Sequence, residues 1–362
     1  MNKIKIAHVS SVHGAKDIRI FQKECITLSE NYDVHLYNSH LSGKEKNIFF
    51  HKLPFVKNRL IRVLTSWIIA IPPLVLKNYK VIHFHDPELI FAAPVWKIFG
   101  KKVIYDVHEN YSKHLEVKSY IPKRLKPIIF KIIKFIENNF SKFVDSIVVV
   151  HKDLNKDLNK LNKHTVVSNA PILDYQFVPQ ERKKQFCYVG AITEERGIYQ
   201  IGKILNELNI KYVLAGSFKE ESFKKKMLSL NNVEFVGWID NDEKIDIISQ
   251  SICGCCTFLP IEHHLISNPN KIYEYLNYGT PVLCSDFDSY KEVISEDQEF
   301  IFYTEILNKD KTEDTIKKII NLSNEEINQF GLKGNQFIKR NYNWDIEGKK
   351  LKNIYANILN LK

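Results

Sequence analysis

The segment Ser267-Asn-Pro-Asn-Lys-Ile-Tyr-Glu-Tyr-Leu-Asn-Tyr-Gly-Thr-Pro-Val puts a lysine and a glutamate where they can serve one ligand. Asn268 reads as a helix cap and Pro269 as the first helical residue. Lys271 and Glu274 then lie three apart, on one face near the positive end of the helix. Free backbone amides together with Lys271 would hold a diphosphate, and Glu274 would accept hydrogen bonds from ribose hydroxyls. The bland alternative is an exposed ion pair between the two side chains. Gly279 ends the helix, and Pro281 opens a buried strand.

A second candidate is Tyr188-Val-Gly-Ala-Ile-Thr-Glu-Glu-Arg-Gly. Gly190 lets backbone come close to a ligand, and Arg196 opens the next helix, where it can pair bidentately with phosphate oxygens. An ordinary strand-to-helix turn with a solvated arginine is the competing reading. Asp286-Phe-Asp288 resembles a cation-holding Asp-x-Asp, but its Ser/Asp surroundings favour a loop lining a sugar pocket with no metal.

The first half of the chain carries polar residues after three expected strands. Ser10-Ser-Val-His13-Gly14-Ala-Lys-Asp17-Ile-Arg19 follows the first, His85-Asp86-Pro-Glu88 the third, and His108-Glu109-Asn110 the fourth. Histidines and carboxylates gathered at the ends of one sheet point to a polar site. Zinc ligation by these histidines is the weaker reading.

These residues need a parallel sheet to position them. Short β-branched runs at Ile4–Val9, Asp33–Tyr37, Val81–His85, Val103–Val107 and Ser146–Val150 alternate with helical patterns, such as Ile18, Phe21, Cys25 and Leu28. A polar stretch from Ser168 to about Gln185 reads as a linker. A second alternating series follows, at Phe186–Ile192, Tyr212–Ala215, Val233–Val236, Gly254–Leu259, Pro281–Cys284 and Phe300–Tyr303. Two helices, Asn324–Tyr342 and Asp345–Leu361, close the chain. The fold class expected is α/β, with two Rossmann-like doubly wound domains facing a central cleft. Residues 1–170 form the first domain and 171–343 the second; 344–362 form a last helix.

With 362 residues, two cores of ordinary size are expected. The net charge of +10 favours anionic partners without choosing among them. The six cysteines, three of them in Cys253-Gly-Cys-Cys, read as small buried hydrophobes and suit a reducing compartment. The longest uncharged stretch, Val63 to Leu76, contains Pro72 and Pro73 and is too short to span a bilayer. A cytoplasmic protein is expected, one able to lie on a membrane at its cytoplasmic face. Residues 121–136 interleave apolar and basic residues with helical spacing, and Lys57, Arg59 and Arg62 before Trp67 extend the basic character. Such a helix suits a membrane interface; a buried helix with snorkelling lysines is the alternative.

The pattern Pro-Asn-Lys-x-x-Glu-Tyr-x-x-x-Gly-x-Pro-Val, with Tyr-Val-Gly…Arg-Gly upstream and Val233-x-Phe-x-Gly237 between them, resembles family-4 retaining glycosyltransferases of the GT-B fold. His-Val-Ser-Ser-Val-His and Ile-Tyr-Asp-Val-His-Glu resemble bacterial surface-polysaccharide members. The resemblance implies transfer of a hexose or N-acetylhexosamine from a nucleotide-diphospho-sugar to a lipid-linked or glycan acceptor, without metal. It implies catalytic roles for His108 and Glu274. Donor binding would fall to Gly190, Arg196, Gly237, Asn270, Lys271 and Glu274. His13, Gly14, Asp17, Arg19, His85, Asp86 and Glu109 would lie on the acceptor side. Arg196 matches a phosphate-binding lysine, and the last helix would pack back on the first domain from Trp344 onward. Two positions depart from the pattern. Ile266 stands where the first glutamate of a Glu-x7-Glu motif would be, with Glu262 or His263 as replacements, and Ala191 stands for an arginine. The alternatives are a nucleotide-sugar epimerase of the same fold, a non-catalytic partner subunit and a basic nucleic-acid binder. Against the last stands the lack of stacking or helix-turn-helix motifs.

Overall fold

The structure, a computed structural model, describes every residue except 1–2, 108–126, 129–130, 132–134, 137–138, 151–163, 174, 266–268 and 362. Two compact units form: Met1–Asn169 with Trp344–Lys362, and Ala170–Asn343.

The first unit is built on β1 (Lys5–Val9), β2 (Asp33–Asn38), β3 (Gly43–Glu45), β4 (Ile48–Lys52), β5 (Val81–Phe84), β6 (Lys102–Val107), β7 (Ser146–Val149) and β8 (His164–Val166). Their order is β3-β4-β2-β1-β5-β6-β7-β8, parallel except where β3 meets β4. Successive side chains alternate between the two sheet faces. Ala7, Val9, Ile82, Phe84, Val103 and Tyr105 pack with residues of the helices Arg59–Leu76 and Ala93–Ile98. Ile6, Val34, Val81, Ile104 and Val148 take the other face, under Ile20, Phe21, Cys25 and Leu28 and under Trp344, Leu351, Ile354 and Tyr355 of the last helix, Trp344–Ile358. Trp344 Nε1 donates to Thr27 Oγ1 at 2.7 Å and fixes the start of that helix.

The second unit contains β9 (Lys183–Ile192), β10 (Lys211–Phe218), β11 (Val233–Gly237), β12 (Ser251–Cys256), β13 (Val282–Ser285) and β14 (Ile301–Thr304), all parallel in the order β11-β10-β9-β12-β13-β14. Helices cover it on both faces. In both units the strand order reverses beside the first strand, between β1 and β5 and between β9 and β12. That is where doubly wound sheets bind ligands, outside the carboxyl ends of the strands.

Several elements differ from the sequence expectation, each for a local reason. The helix after β1 opens as a π-helical segment, Ile18–Cys25, with Asp17 accepting from the backbone N–H groups of Arg19 and Ile20, and only then becomes α-helical over Ile26–Ser29. The hairpin of β3 and β4 was not anticipated. Lys46 and Asn47 take φ of 47° and 63°, the left-handed pair that a tight hairpin needs, but lysine is a poor signal for it. β12 starts and stops three residues before the expected Gly254–Leu259, because the chain leaves the sheet at Thr257. β9 begins at Lys183, which shortens the linker. Pro72 and Pro73 lie inside the helix Arg59–Leu76 rather than breaking it. All six cysteines are buried and unbridged.

Leu351 is fully buried between the last helix and the first sheet. Leu351→Ala should lower stability by about 2–5 kcal/mol in denaturant titrations, against a change of about 0.5 kcal/mol or less for the half-exposed Leu332→Ala.

Candidate functional site

In the second unit the site starts from close approach of backbone to side chain. Gly190 has φ +136°, and a Cβ there would run into the Lys271 ammonium, so glycine is required. Lys271 belongs to the helix Asn270–Asn277 and reaches back to donate to the Val189 carbonyl, with its Nζ 4.8 Å from the centre of the Tyr188 ring. The same helix is pinned by Tyr275, whose hydroxyl accepts from Val189 N at 3.2 Å. Gly254 makes this possible: a Cβ at that position would sit 2.5 Å from the Tyr275 ring. The glycine inside Cys253-Gly-Cys-Cys is therefore the seat of the helix that carries Lys271.

Burial lowers the Lys271 pKa; Glu274 opposes the shift and Arg196 adds to it. Two cations thus sit close enough to repel. Arg196 stacks 4.3 Å over the Phe258 ring, and its buried Nε has no hydrogen-bond partner among the described residues. Gly197, at φ +65°, turns the chain into the helix Ile198–Glu207, where a Cβ would strike the Thr257 carbonyl. Glu274 is ion-paired at 3.0 Å to Lys244 of the helix Asn241–Gln250, and not to Lys271 as the bland alternative had it. Pro269 occupies the cap position rather than the first helical residue, and the exposed Asn270 opens the helix. Gly237 ends β11 at the sheet edge with φ +80° and open space around it, two strands from β9. Asp286 is held by Lys291 at 2.7 Å. Asn268 and Ile266 lie outside the described residues; Glu262 is exposed.

In the first unit the loop after β1 is tied to the loop after β5. Asp86 Oδ2 accepts from Ser10 Oγ at 2.8 Å and from Ser11 N at 2.7 Å, and Ser11 Oγ donates to Glu88 at 2.9 Å. His13 Nδ1 meets Asp17 at 3.3 Å, and His13 Nε2 lies 3.7 Å from Asp86 Oδ1. Gly14 has open space around it. Ser11, Ser39, Arg62 and Ser66 line a small recess beside this network. Glu88 is pushed up in pKa by burial and faces Arg62 at 3.6 Å.

Arg19 and His85, expected on the acceptor side, are both buried beneath the loops. Arg19 is buried, bonded through Nε and Nη2 to Asp106 at 3.2 Å each and through Nη1 to the Val167 carbonyl. His85 is fully buried beside Asp106 and His8. Both therefore brace the loops from beneath. His108 and Glu109 lie outside the described residues. Sequence reasoning missed Asp106, Glu24, His8, His83 and Tyr355, which pack together under these loops. His83-Phe84-His85 was a legible signal: residues two apart on a strand share a face.

Family models described as "Glycosyltransferase Family 4" and "Glycosyl transferases group 1" match residues 26–170 and 172–337. The chain belongs to glycosyltransferase family 4. It is a glycosyltransferase with the GT-B fold. An uncharacterized glycosyltransferase of Methanocaldococcus jannaschii is 22% identical over 298 residues, 76% of this chain and 74% of that protein. Among solved structures, sucrose-phosphate synthase from Thermosynechococcus elongatus superposes with a TM-score of 0.75 at 13% identity, covering 99% of this chain and 100% of that one. Anabaena HepE, solved with UDP and glucose, superposes with 0.67 at 11% identity over 98% and 100%.

His13 is raised in pKa chiefly by its hydrogen bond to Asp17, and Asp17 is lowered in turn, its hydrogen bonds to His13, Ile20 and Arg19 outweighing burial. The histidine's contribution to stability is complete below its ordinary 6.5 and is lost as pH rises through the raised value. The aspartate's is present above its ordinary 3.8 and is lost as pH falls through the lowered value. The pair should therefore contribute most between those two ordinary values. In Asp17→Asn, which can keep the helix cap, the His13 ring should titrate at lower pH than in the wild type when followed by NMR.

Proposed function

We propose that this glycosyltransferase moves a hexose or N-acetylhexosamine from a nucleotide-diphospho-sugar to a lipid-linked or glycan acceptor, with retention, in surface-polysaccharide synthesis. The supporting observation is the pairing of Lys271 with Arg196 at the carboxyl ends of β9 and β12. One is a cation lowered by burial, the other a stacked guanidinium with an unmet donor. A diphosphate arriving there would satisfy the donor and end the repulsion. Both effects grow as the leaving group gains charge, which is the electrostatic form of catalysis. No divalent cation is needed for this neutralisation, since Lys271 and Arg196 supply two positive charges. Glu274 keeps lone pairs for ribose hydroxyls beyond its contact with Lys244. HepE binds UDP and glucose in the same fold, which makes UDP the first donor base to try.

On the acceptor side, the Ser11–Glu88–Arg62 edge and His13 offer donors and acceptors suited to sugar hydroxyls or a phosphate. The reading of residues 121–136 as a membrane-facing helix lies largely outside the described residues. Separate support comes from the helix Arg59–Leu76, where Ile61, Leu64 and Ile68 are exposed three and four residues apart behind Lys57 and Arg59. No described helix is long and apolar enough to cross a membrane. The protein is proposed to work at the cytoplasmic face of the inner membrane.

Thermal shift with UDP, GDP, CDP and ADP, with and without magnesium, tests the donor site. One diphosphate should stabilise the wild type without metal, by about 2.7 kcal/mol at a hundredfold excess over its Kd. Lys271→Met and Glu274→Ala should each remove most of that shift. If no nucleotide moves the curve, the donor reading fails. If the nucleotide-sugar alone is converted to its epimer, the transferase reading gives way to an epimerase. Cosedimentation with anionic vesicles at low salt should be weakened several-fold in Ile61→Ser/Leu64→Ser; equal retention of wild type and variant would refute the membrane surface.

A further inference from the structure

Beneath the loops of the first unit lies a set of ionisable groups that donor binding does not use. His8 from β1, His83 and His85 on β5 or directly after it, and Glu24 from the π-helical segment are all fully buried, with 0% exposure. Each offers one potential ligand atom, and the four atoms lie within 4.8 Å of one another. We propose that these four side chains hold a structural divalent transition-metal ion, of the class that imidazole and carboxylate together favour, with zinc the first candidate.

Three features of the geometry carry this. The first is spacing. Four ligands at about 2.0–2.1 Å around a tetrahedral ion stand about 3.3 Å apart. Here His8 Nδ1 and His85 Nε2 are 3.0 Å apart, and each is 4.0 Å from Glu24 Oε2. Movements of well under 1 Å would bring these to the required edges.

The second is what holds the other ring nitrogens. Metal-bound histidines nearly always have their second nitrogen fixed by a carboxylate, carbonyl or other polar group. His85 Nδ1 lies 3.5 Å from Asp106 Oδ2. The Tyr355 hydroxyl, from the last helix, sits 3.0 Å from both His8 Nε2 and His83 Nδ1. The outer partners are in place.

The third is what is left over. His83 Nε2 is buried with no hydrogen-bond partner among the described residues. Neither oxygen of Glu24 has a well-aligned donor, although Arg19 Nε approaches Oε1 to 3.0 Å and the Asp106 carboxyl stands within hydrogen-bonding reach, where a shared proton is the alternative to a metal ion. Burial strongly disfavours both states of such groups, charged or unpaired. Charge leads to the same conclusion. Arg19 supplies one positive charge against the two carboxylates Glu24 and Asp106. A second cation, or a proton retained on Glu24, has to complete the balance, and a proton leaves His83 Nε2 without a partner. With no ligand exposed, the site has no path for substrate to the ion and is read as structural. It would clamp β1, β5 and the π-helical segment to one another and, through Tyr355, to the last helix.

The test uses the tag-free full-length chain, expressed in zinc-supplemented medium and freed of loose metal by gel filtration. Elemental analysis should find about one equivalent of divalent metal per chain, as a closed site predicts. After chelator treatment the melting temperature should fall and zinc should restore it. Cobalt(II) added to the stripped protein should give the intense visible bands of a four-coordinate ion. His83→Gln should lose the metal, whereas His51→Gln, outside the cluster, should retain it. If wild type carries less than about a tenth of an equivalent, cobalt(II) gives only its aqueous spectrum and zinc leaves the melting curve unmoved, the cluster holds a proton and the proposal is overturned. Retention of the full equivalent by a folded His83→Gln would overturn it equally. The cobalt spectrum of the wild type decides the question even if that variant fails to fold. None of these readouts depends on donor binding, so failure here leaves the donor site standing and the reverse also holds.

Discussion

The ion pair between Arg19 and Asp106 is the constraint on which the first unit depends. A guanidinium this deeply buried is tolerable only when nearly every donor is met. Arg19 meets Asp106 with two nitrogens and the Val167 carbonyl with a third. That joins the segment after β1 to β6 and to the chain leaving β8. The π-helical geometry of Ile18–Cys25 follows from the same demand. An α-helix buries a stripe, but here six of eight residues turn inward, and the wider turn lets Arg19, Lys23 and Glu24 all face the sheet. Asp17 caps this segment while holding His13, so the position of a half-buried histidine is set by packing several residues away.

The second unit solves an equivalent problem with glycine instead of charge. A lysine can be drawn back over a strand end only if the strand has no side chain in its path and the helix carrying it sits low on the sheet. Gly190 satisfies the first condition and Gly254, by admitting the Tyr275 ring, the second. Gly216 belongs to the same arrangement, since a Cβ there would collide with the Gly190 carbonyl. Three glycines on three adjacent strands, β10, β9 and β12, thus seat one ammonium.

The doubly wound architecture was legible in the sequence because buried parallel strands are β-branched runs and the helices between them keep their periodicity. The positions of Arg196, just after β9, and of Lys271, in the first turn of the helix Asn270–Asn277, were legible too. What could not be read was partnership. The Lys271–Glu274 spacing fits an ion pair equally well, and only the tertiary position of Lys244 shows where the glutamate goes. Arg19 and His85 were assigned to the acceptor side because strand-end position alone does not say whether a helix lies above. The last helix supplies Tyr355 from 272 residues beyond His83, a distance at which no local pattern carries information. The β3–β4 hairpin was lost for a smaller reason, a lysine at φ 47° where Asn or Gly would have announced the turn.

The ends of β9 and β12 gather two cations with no carboxylate between them. Lys271 and Arg196 repel, Lys271 is disfavoured by burial, and Arg196 holds a donor that nothing in the described chain accepts. A protein selected for stability alone would place a carboxylate between them. Glu274 is on the right helix to do so, yet it leans to Lys244. Leaving the cations unpaired costs free energy in the ligand-free state, and that cost is recovered only when an anion arrives. On the proposed function, recovery would be largest for the species with most charge on the bridging oxygens, so such a site would favour a departing nucleotide diphosphate over the intact donor. Preference for the charge-separated state, held ready in the backbone geometry of three glycines, is what transfer chemistry demands of a binding site.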